Sequence, residues 1–298
     1  MSRDWKQVFS SWAAGPGETE ERKISNTLTQ IRAAIHNDLI LKTKDITVYV
    51  QGSYKNNVNV RVDSDIDVGV LCKELMDVEF LDDDLSKKVN SKISETTYTY
   101  NKFREDLYFA LKNHFGEKSV NSGNKSFDIN ESSTRVDADV VAVIEHRRYD
   151  SETSYIEGVC LYPKNGTPSK VINWPDQHYT NGVNKNNNSG RRYKRIVRIL
   201  KKLRNEMLKN GYNYLENVSG FLIECLVWNT PNHILTDGDY YDAVRETLIF
   251  LFDELDKKDN YKEWGEVSEL KYLFRTTQSW KKIDARRFII NAWNYVGF

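Results

Sequence analysis

Residues 51–72 read QGSYKNNVNVRVDSDIDVGVLC, and the order of features in this stretch decides the architecture. The β-rich run ITVYVQG at 46–52 ends in a Gly52-Ser53 turn. After a polar stretch, the alternating segment SDIDVGVLC at 64–72 reads as a second strand. Asp65 and Asp67 stand at i and i+2, so in a strand both side chains leave one face, roughly 6.6 Å apart at Cα. Ile66, Val68 and Val70 take the opposite face. Aspartate is disfavoured inside strands and destabilises them unless something neutralises it, and divalent cations would do so.

Further along, STRVDADVVAVIEHRRY at 133–149 is the longest strand signal in the chain. It sets Asp139 in apolar surroundings, with an adjacent strand expected about 4.8 Å away. Asp137 shares that face by period two and is a rival third acid or a supporting partner. Phosphoryl transfer asks little covalent work of a protein, so carboxylate-held metal ions and donors that fix a triphosphate are the recurring solution. Gly52 would let backbone approach a phosphate closely, and the Ser53 hydroxyl with neighbouring N–H groups would bind its oxygens. Alone, Asp63, Asp65 and Asp67 would read as a solvated edge-strand charge run. The preceding turn and the third acid change that reading.

The outer parts of the chain are consistent with an α/β (α+β) fold: a mixed sheet, a helical C-terminal lobe and a central cleft between two lobes. Leu28, Ile31, Ile35 and Leu39 recur at helical spacing within 24–41, and Phe103, Leu107 and Leu111 do so within 99–115. EGVCLYP with KVINW reads as a hairpin. From Arg191 onward, RRYKRIVRILKKLRNEMLKNG, SGFLIECLVWN, YDAVRETLIFLFDEL and RRFIINAWNYV are all helical in period. The Asn/Gly/Ser-rich stretch NGVNKNNNSG at 181–190 reads as a surface loop that is mobile or ordered only by ligand. It sets the expected boundary between a catalytic lobe, 1–190, which includes the helix expected at 24–41, and a helical lobe, 191–298.

Lys plus Arg and Asp plus Glu number 43 each, so no global basic field exists to hold a long polyanion, and a small multiply charged ligand fits better. Cys72, Cys160 and Cys225 lie far apart without a CxxC pair, which argues against structural zinc and a secreted disulfide framework. No apolar window reaches membrane-span length and the N-terminus has no h-region, so a cytoplasmic protein is expected. His114, His146 and His178 have no partners at metal or triad spacing. Tyr54 follows the turn and either lines a nucleotide site or packs.

Residues 51–70 resemble the signature of the polymerase-β-like nucleotidyltransferases, a Gly-Ser followed at short distance by paired aspartates in an apolar strand. The Gly-Ser-Tyr turn, the Asn-Asn-Val-Asn-Val-Arg linker and Ser-Asp-Ile-Asp are similar to those of the CD-NTases, the cyclic GMP-AMP synthase/DncV-like enzymes of bacterial CBASS antiphage defence. ADVVAVIEHRRY (138–149) resembles their third-acid strand, RRYKRIVRILKKLRN (191–205) the helix after the core, and SGFLIECLVWN (219–229) the following Ser-containing helix. The resemblance spans roughly Gln51 to Asn229.

That resemblance implies a Mg²⁺-dependent enzyme, with Mn²⁺ able to substitute, that condenses nucleoside triphosphates, ATP among them, into a cyclic di- or trinucleotide and releases pyrophosphate. Asp65, Asp67 and Asp139 would be the catalytic metal ligands, with Gly52, Ser53, Lys201 and Ser219 at the nucleotide. Lys194, Arg198 and Lys202 compete for the role of Lys201, which otherwise reads as a solvated lysine, and Ser219 also reads as a helix N-cap. No zinc-bearing DNA-sensing insertion is visible, so control would fall to other proteins of the same system. A linear-product transferase acting on RNA, protein or a small molecule, and a silent nucleotide-binding module, are the alternatives.

Overall fold

The computed structural model describes residues 3–15, 18–60, 65–90, 96–257, 260–276 and 278–298. In chain order the elements are α1 (Trp5–Trp12), α2 (Glu18–Asn37), β1 (Ile46–Gln51), α3 (Gly52–Lys55), β2 (Ile66–Phe80), α4 (Asp83–Asn90) and α5 (Tyr100–Phe115). They continue with β3 (Val120–Ser122), β4 (Phe127–Ile129), β5 (Ala138–Tyr149), β6 (Tyr155–Leu161) and β7 (Val171–Asn173). The helices α6 (Pro175–Asn188), α7 (Tyr193–Lys209), α8 (Gly220–Trp228), α9 (Asn232–Leu235), α10 (Tyr240–Asp256) and α11 (Lys282–Val296) complete the chain. It divides into two compact units, one of Gly17–Lys55 and Val62–Pro175, the other of Met1–Pro16, Asn56–Arg61 and Asp176–Phe298.

The first unit is built on a mixed sheet of order β1-β2-β5-β4-β3, with β6 pairing the far half of β5 and β7 pairing β6. Only β2 and β5 run parallel among these pairs; the rest are antiparallel. A parallel pair must be covered on both faces, and β5 carries a continuous apolar run to match: Val140, Val141, Ala142 and Val143 are all buried. Ile66, Val68, Val70, Val140 and Ala142 pack with Ile31 and Ile35 of α2 and with Phe103, Leu107 and Leu111 of α5. Val141 and Val143 pack on the other face with Val159, Leu161, Tyr49 and Leu71. The acids of β2 and β5 share this second face, away from the helices.

Strand boundaries differ from expectation in instructive ways. The second strand starts at Ile66 and runs to Phe80 through an irregularity between Cys72 and Met76. The long strand starts at Ala138, because 133–137 make turn-like local contacts such as Ser132 N–H to the Arg135 carbonyl at 3.0 Å. The first long helix ends at Asn37, so Leu39, assigned to its apolar stripe from the spacing, is 76% exposed. Asp63 and Ser64 lie outside the described residues.

The stretch 181–190, expected as a loop, is largely helical: α6 runs to Asn188. Asn and Gly are poor helix formers, and tertiary hydrogen bonds override them here. Asn181 Nδ2 donates to the Val267 carbonyl at 2.9 Å, Lys185 Nζ to the Thr230 carbonyl at 2.9 Å, and Asn186 Oδ1 accepts from Lys194 N–H at 3.2 Å. These asparagines tie α6 to the helical unit, whose long segment accordingly begins at Asp176 rather than at the expected 191. The same unit takes in α1, a helix not expected from the sequence, whose Phe9 lies in the helical core with Ile196, Leu200, Leu222 and Phe288.

Arg198 of α7 organises that arrangement. Its guanidinium, largely buried, donates to the Ala13 carbonyl through Nε and Nη2 at 3.0 and 2.6 Å and to the Asn57 carbonyl through Nη1 at 2.6 Å. Among the described residues no helix is long and apolar enough to cross a membrane. Replacing Arg198 by Met should leave two carbonyls unpaired and lower stability by about 2–4 kcal/mol, read from urea unfolding. A variant as stable as the parent would contradict this role.

Candidate active site

Strand pairing sets three carboxylates in one row. Asp67 on β2 is the register partner of Asp139 on β5, and Asp139 is the register partner of Asp128 on β4. Directly opposed residues on neighbouring strands project from the same face, so the row runs across the sheet at strand spacing. The Ile66 N–H donates to the Asp137 carbonyl at 3.0 Å, which locks the register where both strands begin. Asp65 precedes β2 and is exposed, whereas Asp67 and Asp139 are half-buried.

The Asp139 carboxyl is pushed up to about 7 from the ordinary 3.8, first by burial and then by the negative charges of Asp128, Asp65 and Asp67. Asp128 also hydrogen-bonds it. No signal in the sequence pointed to Asp128. Its strand, Phe127–Ile129, is only three residues long, too short to register as a period-two signal, although Phe127 and Ile129 are buried and Asp128 alone faces outward. Ser126 Oγ donates to Asp128 Oδ1 at 3.0 Å.

Asp137 does not join the row. It lies before β5, and its Oδ1 accepts the backbone N–H of Glu131, so its carboxylate caps a local turn. Gly52 has φ +65°, and a Cβ there would meet Asp67 Oδ2 at 2.0 Å. The glycine therefore leaves room for the Asp67 carboxylate, a constraint beyond the close phosphate approach expected of it. Ser53 follows in the short α3, half-buried, and Tyr54 packs against the sheet core with α2 and α5.

Lys201 and Ser219 lie in the helical unit. Lys201 is 4% exposed, and its Nζ pairs with Glu224 at 3.6 Å, so it is not a solvated lysine. Burial lowers its pKa, and Glu224 opposes that fall. Ser219 is the N-cap of α8, its Oγ accepting from Leu222 N–H at 3.0 Å. Two histidines that lacked partners by spacing have them in space. His178 Nε2 lies 2.9 Å from Glu224, and His146 Nδ1 lies 2.7 Å from Asp77.

Among the described residues, no group of three or more His, Cys, Asp or Glu side chains is placed to hold a metal ion by itself. The electrostatic coupling of Asp139 to Asp65 and Asp67 nonetheless marks a place that favours a cation. The two observations agree for Mg²⁺, which keeps water and substrate phosphate in its shell and takes only one or two carboxylates. The donor set fits such an ion.

A mixed sheet with in-register aspartates behind a Gly-Ser turn defines a nucleotidyltransferase core of the polymerase-β-like kind. Residues 180–297 match the family described as cGAS/DncV-like nucleotidyltransferase C-terminal helical domain. The whole chain is 42% identical to a cyclic dipyrimidine nucleotide synthase CdnE of Legionella pneumophila, with 99% of each covered. It is 37% identical to the protein of the same name from Cecembia lonarensis, with 100% of each covered. The structure of the Rhodothermus marinus CdnE c-UMP-AMP synthase with Apcpp and Upnpp superposes with a TM-score of 0.84 at 28% identity, over 98% of this chain and 97% of that one. The chain belongs to the cGAS/DncV-like nucleotidyltransferases.

Two outcomes follow from this geometry. Gly52→Ala should push Asp67 out of its place and strain the turn, costing about 1–3 kcal/mol, measurable by urea unfolding; an unchanged midpoint would contradict the close approach. The second concerns pH in the presence of EDTA. The folded state holds the Asp139 proton more tightly than the unfolded chain, so this contribution to stability is full below 3.8 and is lost as pH rises to about 7. Unfolding titrations should show that decline in the parent and lack it in Asp139→Asn. The same slope in both would refute the assignment.

Proposed function

We propose that this enzyme condenses two nucleoside triphosphates into a cyclic dinucleotide with release of pyrophosphate, as a signal in antiphage defence. The observation that carries the reading is the in-register placement of Asp67 opposite Asp139, with Asp65 two residues before Asp67. Asp65, Asp67 and Asp139 would hold Mg²⁺, with Mn²⁺ able to substitute. When bound, such ions neutralise developing phosphoryl charge and lower the pKa of an attacking hydroxyl.

The chain's own groups do the positioning. Asp139 stands on the acceptor side, Asp65 and Asp67 serve both sides, and the Gly52-Ser53 turn orients the donor triphosphate through backbone N–H groups and the Ser53 hydroxyl. Lys201 and Ser219 contact its phosphates. A ribose hydroxyl attacks the donor α-phosphate in line, the new P–O bond forms as pyrophosphate leaves, and a second attack closes the ring.

Two full-length relatives are named for dipyrimidine products and a third for UMP-AMP, which supports offering UTP and CTP beside ATP and GTP. Cys72, Cys160 and Cys225 are buried free thiols, which supports a reducing, cytoplasmic setting. Regulation by other proteins of the same defence system completes the reading.

The test is incubation with each nucleoside triphosphate and Mg²⁺ or Mn²⁺, then phosphatase treatment and mass spectrometry. A phosphatase-resistant cyclic dinucleotide is expected, absent from Asp65→Asn/Asp67→Asn. Asp139→Asn should be inactive yet still bind a nonhydrolysable triphosphate, while Asp137→Asn retains substantial activity. A phosphatase-labile linear product, or an active Asp139→Asn, would overturn the reading.

A further inference from the structure

Helix α8 reads GFLIECLVW, and Glu224 is its sole charged residue, 3% exposed in the core of the helical unit. A carboxylate in such surroundings must be held by partners. Two other helices supply them: His178 of α6, with Nε2 at 2.9 Å, and Lys201 of α7, with Nζ at 3.6 Å. Burial raises the pKa of the neighbouring Tyr193 and Cys225, so both stay neutral beside Glu224, and the positive charge of Lys194 adds to the stabilisation of its carboxylate.

The Lys201 stem runs over the first turn of α8. A Cβ on Gly220 would lie 3.3 Å from Lys201 Cε and 3.6 Å from its Nζ, so Gly220 keeps the lane open for the lysine. Ser219, the N-cap, is the adjacent residue. A helix N-terminus is electropositive and repels an ammonium group. Glu224, one turn further along, offsets that repulsion, and its own charge is kept by Lys201 and His178.

We propose that Glu224, backed by His178, is a positioning residue that holds the Lys201 ammonium at the first turn of α8 beside Ser219, so that a nucleotide phosphate meets cation and cap together. This rests on the reading above in which Lys201 and Ser219 contact phosphate. The plain alternative is a buried ion pair that serves packing alone. Such pairs can often be replaced by apolar residues without loss of stability, and this separates the two accounts.

The experiment uses the full chain and five proteins: parent, Lys201→Met, Glu224→Gln, Glu224→Asp, and the double variant Lys201→Met/Glu224→Leu. Thermal melts are read beside KM, kcat and calorimetric binding of a nonhydrolysable triphosphate. Glu224→Gln should raise KM about tenfold with kcat changed less than about threefold. The double variant should melt at or above Lys201→Met while keeping the raised KM of Lys201→Met. Glu224→Asp, which keeps the charge, should recover part of the loss. A folded Glu224→Gln with the parent's KM, beside an impaired Lys201→Met, would overturn the positioning role and leave the phosphate role of Lys201 standing. A parental KM in Lys201→Met would instead overturn that phosphate role and the inference with it.

Discussion

Everything at the acidic site depends on one parallel strand pair. The β2/β5 register places Asp67 against Asp139, and the adjoining antiparallel strand adds Asp128 to the same row. Like charges at strand spacing repel, and the sheet cannot relieve that by slipping, because a one-residue shift would turn Ile66, Val68 and Val140 out of the core. Packing of the helices α2 and α5 against the opposite face therefore maintains an electrostatically unfavourable arrangement. The raised Asp139 carboxyl is the local sign of it. A cation entering such a site would stabilise it, since it would offset the repulsion that burial maintains.

The helical unit handles charge in the opposite manner. Where the sheet leaves carboxylates facing one another, the α6–α8 helices bury Glu224 between His178 and Lys201. Arg198 spends its donors on two backbone carbonyls, which removes it from the contest for a phosphate contact that its place in the basic helix suggested. Lys194 and Lys202 keep lowered pKa values through partial burial. A basic amphipathic helix thus resolves into residues with distinct tasks once its neighbours are known.

Much of this was legible in the sequence. Asp65, Asp67 and Asp139 stood out because aspartate in an apolar strand calls for a reason, and Phe103, Leu107 and Leu111 of α5 are fully buried as their spacing requires. The in-strand rival Asp137 could not be separated by period alone; a turn that begins β5 one residue later decides it. Asp128 was invisible because register is a long-range property of a three-residue strand. The Asn-rich stretch misled for a related reason: its local preference is for loop, and the hydrogen bonds that make it helix join Asn181, as donor, to the Val267 carbonyl far along the chain and Asn186, as acceptor, to the Lys194 N–H on the next helix. The partner of His178 lies 46 positions away in sequence, beyond any spacing rule.

The central claim is that the Asp67–Asp139 row is a cation site whose acid gives up a proton when it fills. Calorimetric titration of Mn²⁺ into the protein with a nonhydrolysable triphosphate, run at neutral pH in two buffers of different ionisation enthalpy, reads ion binding and proton release together. The account predicts saturable Mn²⁺ binding with proton release in the parent, weaker binding without that release in Asp139→Asn, and little binding in Asp67→Asn/Asp139→Asn. Equal Mn²⁺ affinity in all three proteins, or binding without proton release in the parent, would contradict it.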